Sequence, residues 1–211
     1  GYTWLRDVRK DTEVASNKVS VTMKQTDYRE ALPIKKDLYL RMTMLSENPM
    51  AEVVIAKGIP PTNASNIEQF DWILVRNKGA KGLDTLFSTV YEPYQDENYL
   101  SDMELVPMTV KSGSMAANDV ARAMKITHKS GRVDYIVYAT NNSVTYRVDD
   151  AFDFRGFVAV ATYNGDEMIY QYLNDGDLIG GAEVLSAYEG EVSDFSKEET
   201  FDSTITFRSD A

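Results

Sequence analysis

The one histidine of this chain, His128, is the first place to look for acid–base chemistry near neutral pH, because cysteine is absent altogether. A lone imidazole works as a general base only when a carboxylate orients it and a pocket holds it. Its neighbours Thr127 and Lys129 supply neither, and Ser130-Gly131 marks a turn, so His128 is expected to be an exposed turn residue at a strand end. Two groups of carboxylates could offer hard oxygen ligands to calcium: Asp149, Asp150 and Asp153, and then Asn174, Asp175 and Asp177 around Gly176. Neither has the alternating ligands and distal glutamate of a calcium loop, and turn chemistry accounts for both. No catalytic residue, metal ligand or cofactor is therefore assigned.

Tyrosine is the abundant side chain, with 13 copies. A ring on a sheet face can stack on a sugar ring, which makes Tyr94, Tyr99 and Tyr163 the candidate carbohydrate-binding residues. The same residue type is favoured in strands for packing alone. Arg76, Lys78 and Lys81 form a small basic patch around Gly79 and Gly82, read as a solvated loop. Asn63-Ala64-Ser65 and Asn141-Asn142-Ser143 match the glycosylation acceptor pattern. No glycine-rich phosphate loop, HExxH or GxSxG motif occurs.

The formal net charge of −11 argues against nucleic acid and anionic membranes as partners, since both are held by clustered Lys and Arg. No apolar run approaches the length of a membrane-spanning helix, and no signal peptide is visible. The chain opens on Gly1 rather than methionine, as an excised fragment would. Disulfides and thiolate chemistry are excluded together by the lack of cysteine.

The elements that must position these residues are strands. Residues 1–18 read as a lead-in segment, and 19–211 as a single β-sandwich domain. Strict alternation marks strands at 18–24 and 37–45, the second broken by Asn48-Pro49. Further strands are expected at 50–57, 71–76, 83–91 and 100–110, the last with Pro107 inside it as on an edge strand or bulge. A run of hairpins follows: 120–128, 132–139, 143–148, 154–163 and 168–173. Asn164-Gly165 is its strongest turn signal. Residues 26–36 read as a loop, 62–70 as a loop or one helical turn, and weaker strands as 178–186, 191–195 and 204–207. No segment keeps a helical period and no repeat recurs, so the fold class is all-β, an antiparallel two-sheet β-sandwich.

Several of these stretches resemble the C-terminal β-domain of bacterial heparinase II/III-like polysaccharide lyases. They are DLYLRMTML at 37–45, EVVIAKGIPP at 52–61, the strand at 70–76, and 83–94, which ends LFSTVYEPY. Tyr138-Ala139-Thr140, Tyr146 through Asp150, and Phe154-Arg155-Gly156 resemble a later hairpin of that region. The likeness covers roughly residues 20–175, and Glu92-Pro93-Tyr94 is its most specific piece. The resemblance implies a non-catalytic accessory domain that braces the catalytic domains of a parent lyase or lines its glycan cleft. The parent would cleave uronic-acid glycans by β-elimination and be periplasmic or secreted. Its catalytic and metal sites need a helical toroid and several histidines, so none is transferred to this chain. The alternative function is a carbohydrate-binding module that holds a polysaccharide through exposed aromatics.

Overall fold

The structure, a computed structural model, describes residues 5–12, 14, 16–24, 37–58, 70–79, 81–180 and 182–183. Trp4, the 26–36 and 62–69 loops, Asn63-Ala64-Ser65 and the strands expected at 191–195 and 204–207 lie outside the described residues. The described residues are all-β, with every strand pairing antiparallel. The chain divides into two compact units, Gly1–Asn98 and Tyr99–Ala211.

The first unit holds β1 (Leu5–Asp11), β2 (Ser16–Lys24), β3 (Leu38–Met50), β4 (Glu52–Gly58), β5 (Phe70–Arg76) and β6 (Phe87–Gln95). They form two three-stranded sheets, ordered β1-β4-β5 and β2-β3-β6. Met42, Leu45, Met50, Val54 and Ala56 are buried. Strand β1 occupies residues read as lead-in. Its alternation is broken because the register on β4 shifts between Arg6 and Arg9, where Asp7 takes φ 50°. Asn48-Pro49 does not end β3, which runs on to Met50. Likewise β6 continues through Pro93, because β6 is an edge strand, where a missing N–H need break no ladder bond. Across β3 and β6, Arg41 pairs with the buried Glu92 at 2.6 Å. On the other sheet Arg76 pairs with the buried Glu52 at 2.7 Å, so Arg76 belongs to an ion pair while Lys78 and Lys81 are exposed.

The second unit is a sandwich. Its strands are β7 (Leu100–Val106), β8 (Met108–Ser112), β9 (Ala121–His128), β10 (Arg132–Ala139), β11 (Thr145–Val148) and β12 (Phe152–Arg155). They continue with β13 (Val158–Asn164), β14 (Glu167–Asn174), β15 (Leu178–Ile179) and β16 (Ala182–Glu183). One sheet, ordered β14-β13-β10-β9-β7, has β10 at its centre; the other, β16-β15-β12-β11-β8, has β12. One core joins them: Tyr135, Val137, Ala159 and Ala161 from the β10 sheet with Tyr146, Phe152, Phe154 and Ile179 from the β12 sheet. Fully burying each of these large side chains contributes about 1.5–3 kcal/mol.

Two expected strands turn out to be pairs. Residues 100–110 split at Pro107, where the chain leaves the β10 sheet as β7 and enters the β12 sheet as β8. Both are edge strands, the position where a proline is tolerated. Residues 154–163 fall in β12 and β13, which lie in opposite sheets, and the switch is made at Gly156-Phe157. The acidic corner at Asp149–Asp150 is the β11–β12 turn, closed by Ala151 N–H donating to the Val148 carbonyl at 2.8 Å. Both central residues are left-handed, at φ 47° and 52°, as a type I′ turn requires. Aspartate tolerates that region less well than glycine. Asp150→Gly should therefore stabilise the fold by about 0.5 kcal/mol, the strain relief exceeding the added chain entropy. A urea midpoint at or below that of the parent chain would contradict this.

Candidate functional site

Strand pairing places the second unit's candidate residues on definite faces. Along β10, Val133, Tyr135, Val137 and Ala139 point into the core, so Asp134, Ile136 and Tyr138 stand on the outer face. Register then extends that face as rows across the sheet. Met124, Ile136, Val160 and Tyr172 make one row; Arg122, Tyr138, Val158 and Asn174 make the next. A third row, Ile126, Asp134, Thr162 and Tyr170, lies nearer the β9–β10 turn.

The first two rows are open. Ile136, Tyr138 and Tyr172 are 38%, 36% and 41% exposed. Phe157, 39% exposed, meets the Tyr138 ring edge-on at a centroid distance of 5.3 Å, which limits how that ring can turn. Strands lie about 4.8 Å apart and residues rise about 3.3 Å along each, so Tyr138 on β10 and Tyr172 on β14, two strands and two residues apart, are about 12 Å from each other.

In the third row Asp134 and Thr162 are buried polar residues. Asp134 is 9% exposed, yet its carboxylate accepts from Arg132 (Nε 2.9 Å, Nη2 2.8 Å) and from the Thr162 hydroxyl (2.7 Å). His128 Nε2 lies 2.7 Å from its Oδ2. The expectation for His128 is thereby corrected. Its side chain is 15% exposed, a carboxylate holds it, and Tyr99 stacks on it with ring centroids 6.0 Å apart. The reason lies in the turn. Gly131 N–H donates to the His128 carbonyl with Gly131 at φ 92°, and the resulting register sets His128 diagonally beside Asp134 on one face. Burial alone would raise the Asp134 carboxyl; hydrogen bonds from Arg132, Thr162 and His128 outweigh it and hold the group below the ordinary aspartate value.

The three sequence candidates are divided between the two units. Tyr163 points inward from β13, edge-on to Tyr135 at 5.8 Å and tilted against Phe152 at 6.2 Å. Burial pushes its phenol pKa up. Tyr94 belongs to the first unit, where it stacks on Tyr39 at 5.3 Å. Tyr99, 44% exposed, begins the second unit against His128. The exposed rings of the β10 sheet are instead Tyr138 and Tyr172, with Phe157 beside them.

Compared with protein-family models, curated proteins and solved structures, the chain finds no match in any of the three. Its chemistry is therefore read from its own residues. The clustered carboxylates are engaged by other side chains. Asp149 accepts from Lys125 Nζ at 3.1 Å and from the Tyr135 hydroxyl at 3.0 Å. Asp153 takes Lys111 and Arg147, Asp177 takes Arg155 at 2.6 and 2.8 Å, and Asp175 accepts from Asn142 at 2.9 Å. Asn141 is likewise occupied: its amide donates to Asp119 at 2.7 Å and its oxygen accepts from the Ser143 hydroxyl at 2.7 Å. Among the described residues no group of three acidic or histidine side chains is placed to hold a metal ion. What the arrangement offers is an open, aromatic-bearing sheet face.

Proposed function

We propose that this chain is a non-catalytic β-sandwich module of a heparinase II/III-like polysaccharide lyase, bracing the catalytic domains of its parent or lining the glycan cleft. The observation that carries this reading is in the first unit. The buried face of β4, with Val54 and Ala56, continues onto the edge strand β5, where Phe70 and Trp72 lie opposite Gly58 and Ala56. Both rings are 47% exposed. The Trp72 indole lies across Gly58, where a Cβ would come within 2.1 Å of its Nε1. An apolar face that runs out to the surface through two aromatic rings is suited to cover by a neighbouring domain. In the stretch that carries the family likeness, the Arg41–Glu92 pair ties β6 to β3 and gives Glu92 a structural part. On this reading the module is exported with its parent and has no nucleic-acid or membrane partner.

The test is to mix the chain with the separately produced catalytic domains of the parent lyase. The expected result is a complex whose Kd rises at least tenfold for Trp72→Lys. A chain that neither binds those domains nor raises their melting temperature sinks the reading.

A second reading, a carbohydrate-binding module, is favoured by the open rows of the β10 sheet. Retention of the isolated chain on an immobilised polysaccharide, lost in a Tyr138→Ala, Tyr172→Ala double variant, would support it. Retention unchanged by that double variant would count against it.

A further inference from the structure

The strands that end the sheets are guarded unequally. Among the described residues the sheets end on β1, β5, β2, β6, β7, β14, β8 and β16. An open edge presents a row of backbone N–H and C=O groups to any other strand, and charged side chains, proline, bulges or short length discourage that pairing. Strand β1 has Arg6, Asp7, Arg9, Lys10 and Asp11, β2 has Lys18 and Lys24, and β5 has Asp71 and Arg76. Strand β6 contains Pro93, β7 has Asp102 and Glu104, β8 has Lys111 and follows Pro107, and β16 is two residues long. Strand β14 is the exception. Its one charge, Glu167, sits beside the turn, and Met168-Ile169-Tyr170-Gln171-Tyr172-Leu173 holds no charge, proline or glycine in a chain of net charge −11. Its register on β13 shifts at Ile169, and from Tyr170 to Asn174 the pairing is regular.

Register fixes which backbone groups reach that edge. Ala139 N–H donates to the Phe157 carbonyl at 2.9 Å, so by alternation Val158, Val160 and Thr162 turn their backbone groups toward β14. Their partners Asn174, Tyr172 and Tyr170 turn back toward β13, which leaves the N–H and C=O of Gln171 and Leu173 directed outward from the sheet. We propose that the β14 edge is a self-association surface: a second copy of this chain adds its own β14 antiparallel, about a two-fold axis at Tyr172, and the β10 sheets of the two copies become one. A two-fold perpendicular to the sheet keeps the outer faces on one side, so residues that pair must share a face. Centred on Tyr172, it sets Gln171 opposite Leu173 of the other copy, and the outward backbone groups of both then bond across the join. Tyr172 meets its own image as an aromatic cross-strand pair, and Tyr170 lies opposite Asn174. No residue of the join, Tyr170 to Asn174, is charged, so two strongly acidic copies meet there without repulsion. The edge is thus complementary to itself in hydrogen bonding, face and charge, as an isologous interface requires. One added strand pair makes a small interface, so the dimer forms at about 100 μM rather than at nanomolar concentration. It shares no residue with the Phe70 and Trp72 face of the first unit.

The experiment is sedimentation equilibrium of the whole chain from about 5 μM to about 500 μM, with thermal unfolding of each variant at the dilute end as the folding control. The expected result is a monomer–dimer equilibrium that shifts with concentration. Gln171→Pro removes an outward N–H that no bond to β13 uses, so it should raise the dimer Kd about tenfold or more and lower the melting temperature by only about 3 °C or less. Tyr172→Lys, at an exposed position, should raise the Kd about as much by setting two cations face to face, and Tyr172→Glu should do the same with two anions. An equimolar mixture of the two Tyr172 variants should dimerise again, as a two-fold centred on that residue requires. Where Gln171→Pro does not fold, the Tyr172 variants decide. A chain that stays monomeric at about 500 μM overturns the proposal. A dimer that persists in the folded variants places the interface elsewhere and overturns it too. Assemblies that grow past the dimer overturn the two-fold, and a mixture of the Tyr172 variants that stays monomeric overturns its centring.

Discussion

Gly176→Ala will destabilise the second unit by about 3 kcal/mol, at the upper end of what overpacking does. The segment Asn174–Asp177 folds back over Arg155-Gly156, where the chain passes between sheets. A Cβ on Gly176 would lie 2.4 Å from the Arg155 carbonyl oxygen and 2.4 Å from the Gly156 Cα. Both are backbone atoms, so no side-chain rotation relieves the clash. Nor is the backbone there free to move. Asp177 N–H donates to the Arg155 carbonyl at 3.1 Å, Phe157 N–H donates to Asn174 and Asp175 carbonyls, and Arg155 grips Asp177 through two nitrogens. The expected observable is a melting temperature lowered by about 10 °C or more. A shift of about 2 °C or less would show that the crossing can open without disturbing the core.

Asp134→Ala should destabilise by about 3 kcal/mol, because one change strips the acceptor from three donors, one of them the buried Thr162 hydroxyl. Arg132 is half exposed and recovers water, which keeps the loss at the lower end of what a buried pair shows. The same carboxylate sets a pH signature. Its folded pKa is depressed, so its contribution is complete above the unfolded aspartate value of about 4 and disappears as pH falls through the lower folded value. The gap in stability between the parent chain and Asp134→Asn should be widest near neutrality and should close below about pH 4. Urea unfolding at about pH 7 and about pH 3 reads both values. A gap of the same size at the two pH values would mean that the charge contributes nothing to it.

The hairpins of the second unit were legible because β10 and β14 alternate on two distinct faces and the run is punctuated by Gly131 and Gly165, both at positive φ. Legibility failed where alternation stops carrying information. In β13 the run Val-Ala-Val-Ala-Thr-Tyr is apolar on both faces, so nothing in it says that Tyr163 turns inward with the two alanines. The pairing decides it, because the small side chains of Ala159 and Ala161 share the core with the rings of Phe152, Phe154 and Tyr146. His128 and Asp134 are six residues apart and look unrelated until the turn fixes which strand positions face each other. Once Lys129-Ser130-Gly131 is read as a three-residue connection, the diagonal contact follows from register alone. The rows that bear Tyr138, Arg122 and Tyr172 are a property of four strands at once, and no window along the chain contains them.

The passages at Pro107 and Gly156 have a consequence for how the second unit assembles. Neither five-stranded sheet is a continuous stretch of chain: β7, β9, β10, β13 and β14 alternate along the sequence with β8, β11, β12, β15 and β16. A partly made β10 sheet therefore already commits the intervening segments to the opposite layer. Such interleaving raises the sequence separation of native pairings and places folding in the slow, millisecond-to-second range of sandwiches. It also ties the layers into one cooperative element, so backbone amides of β10 and of β11, on opposite sides of the core, should exchange with deuterium through a single shared opening.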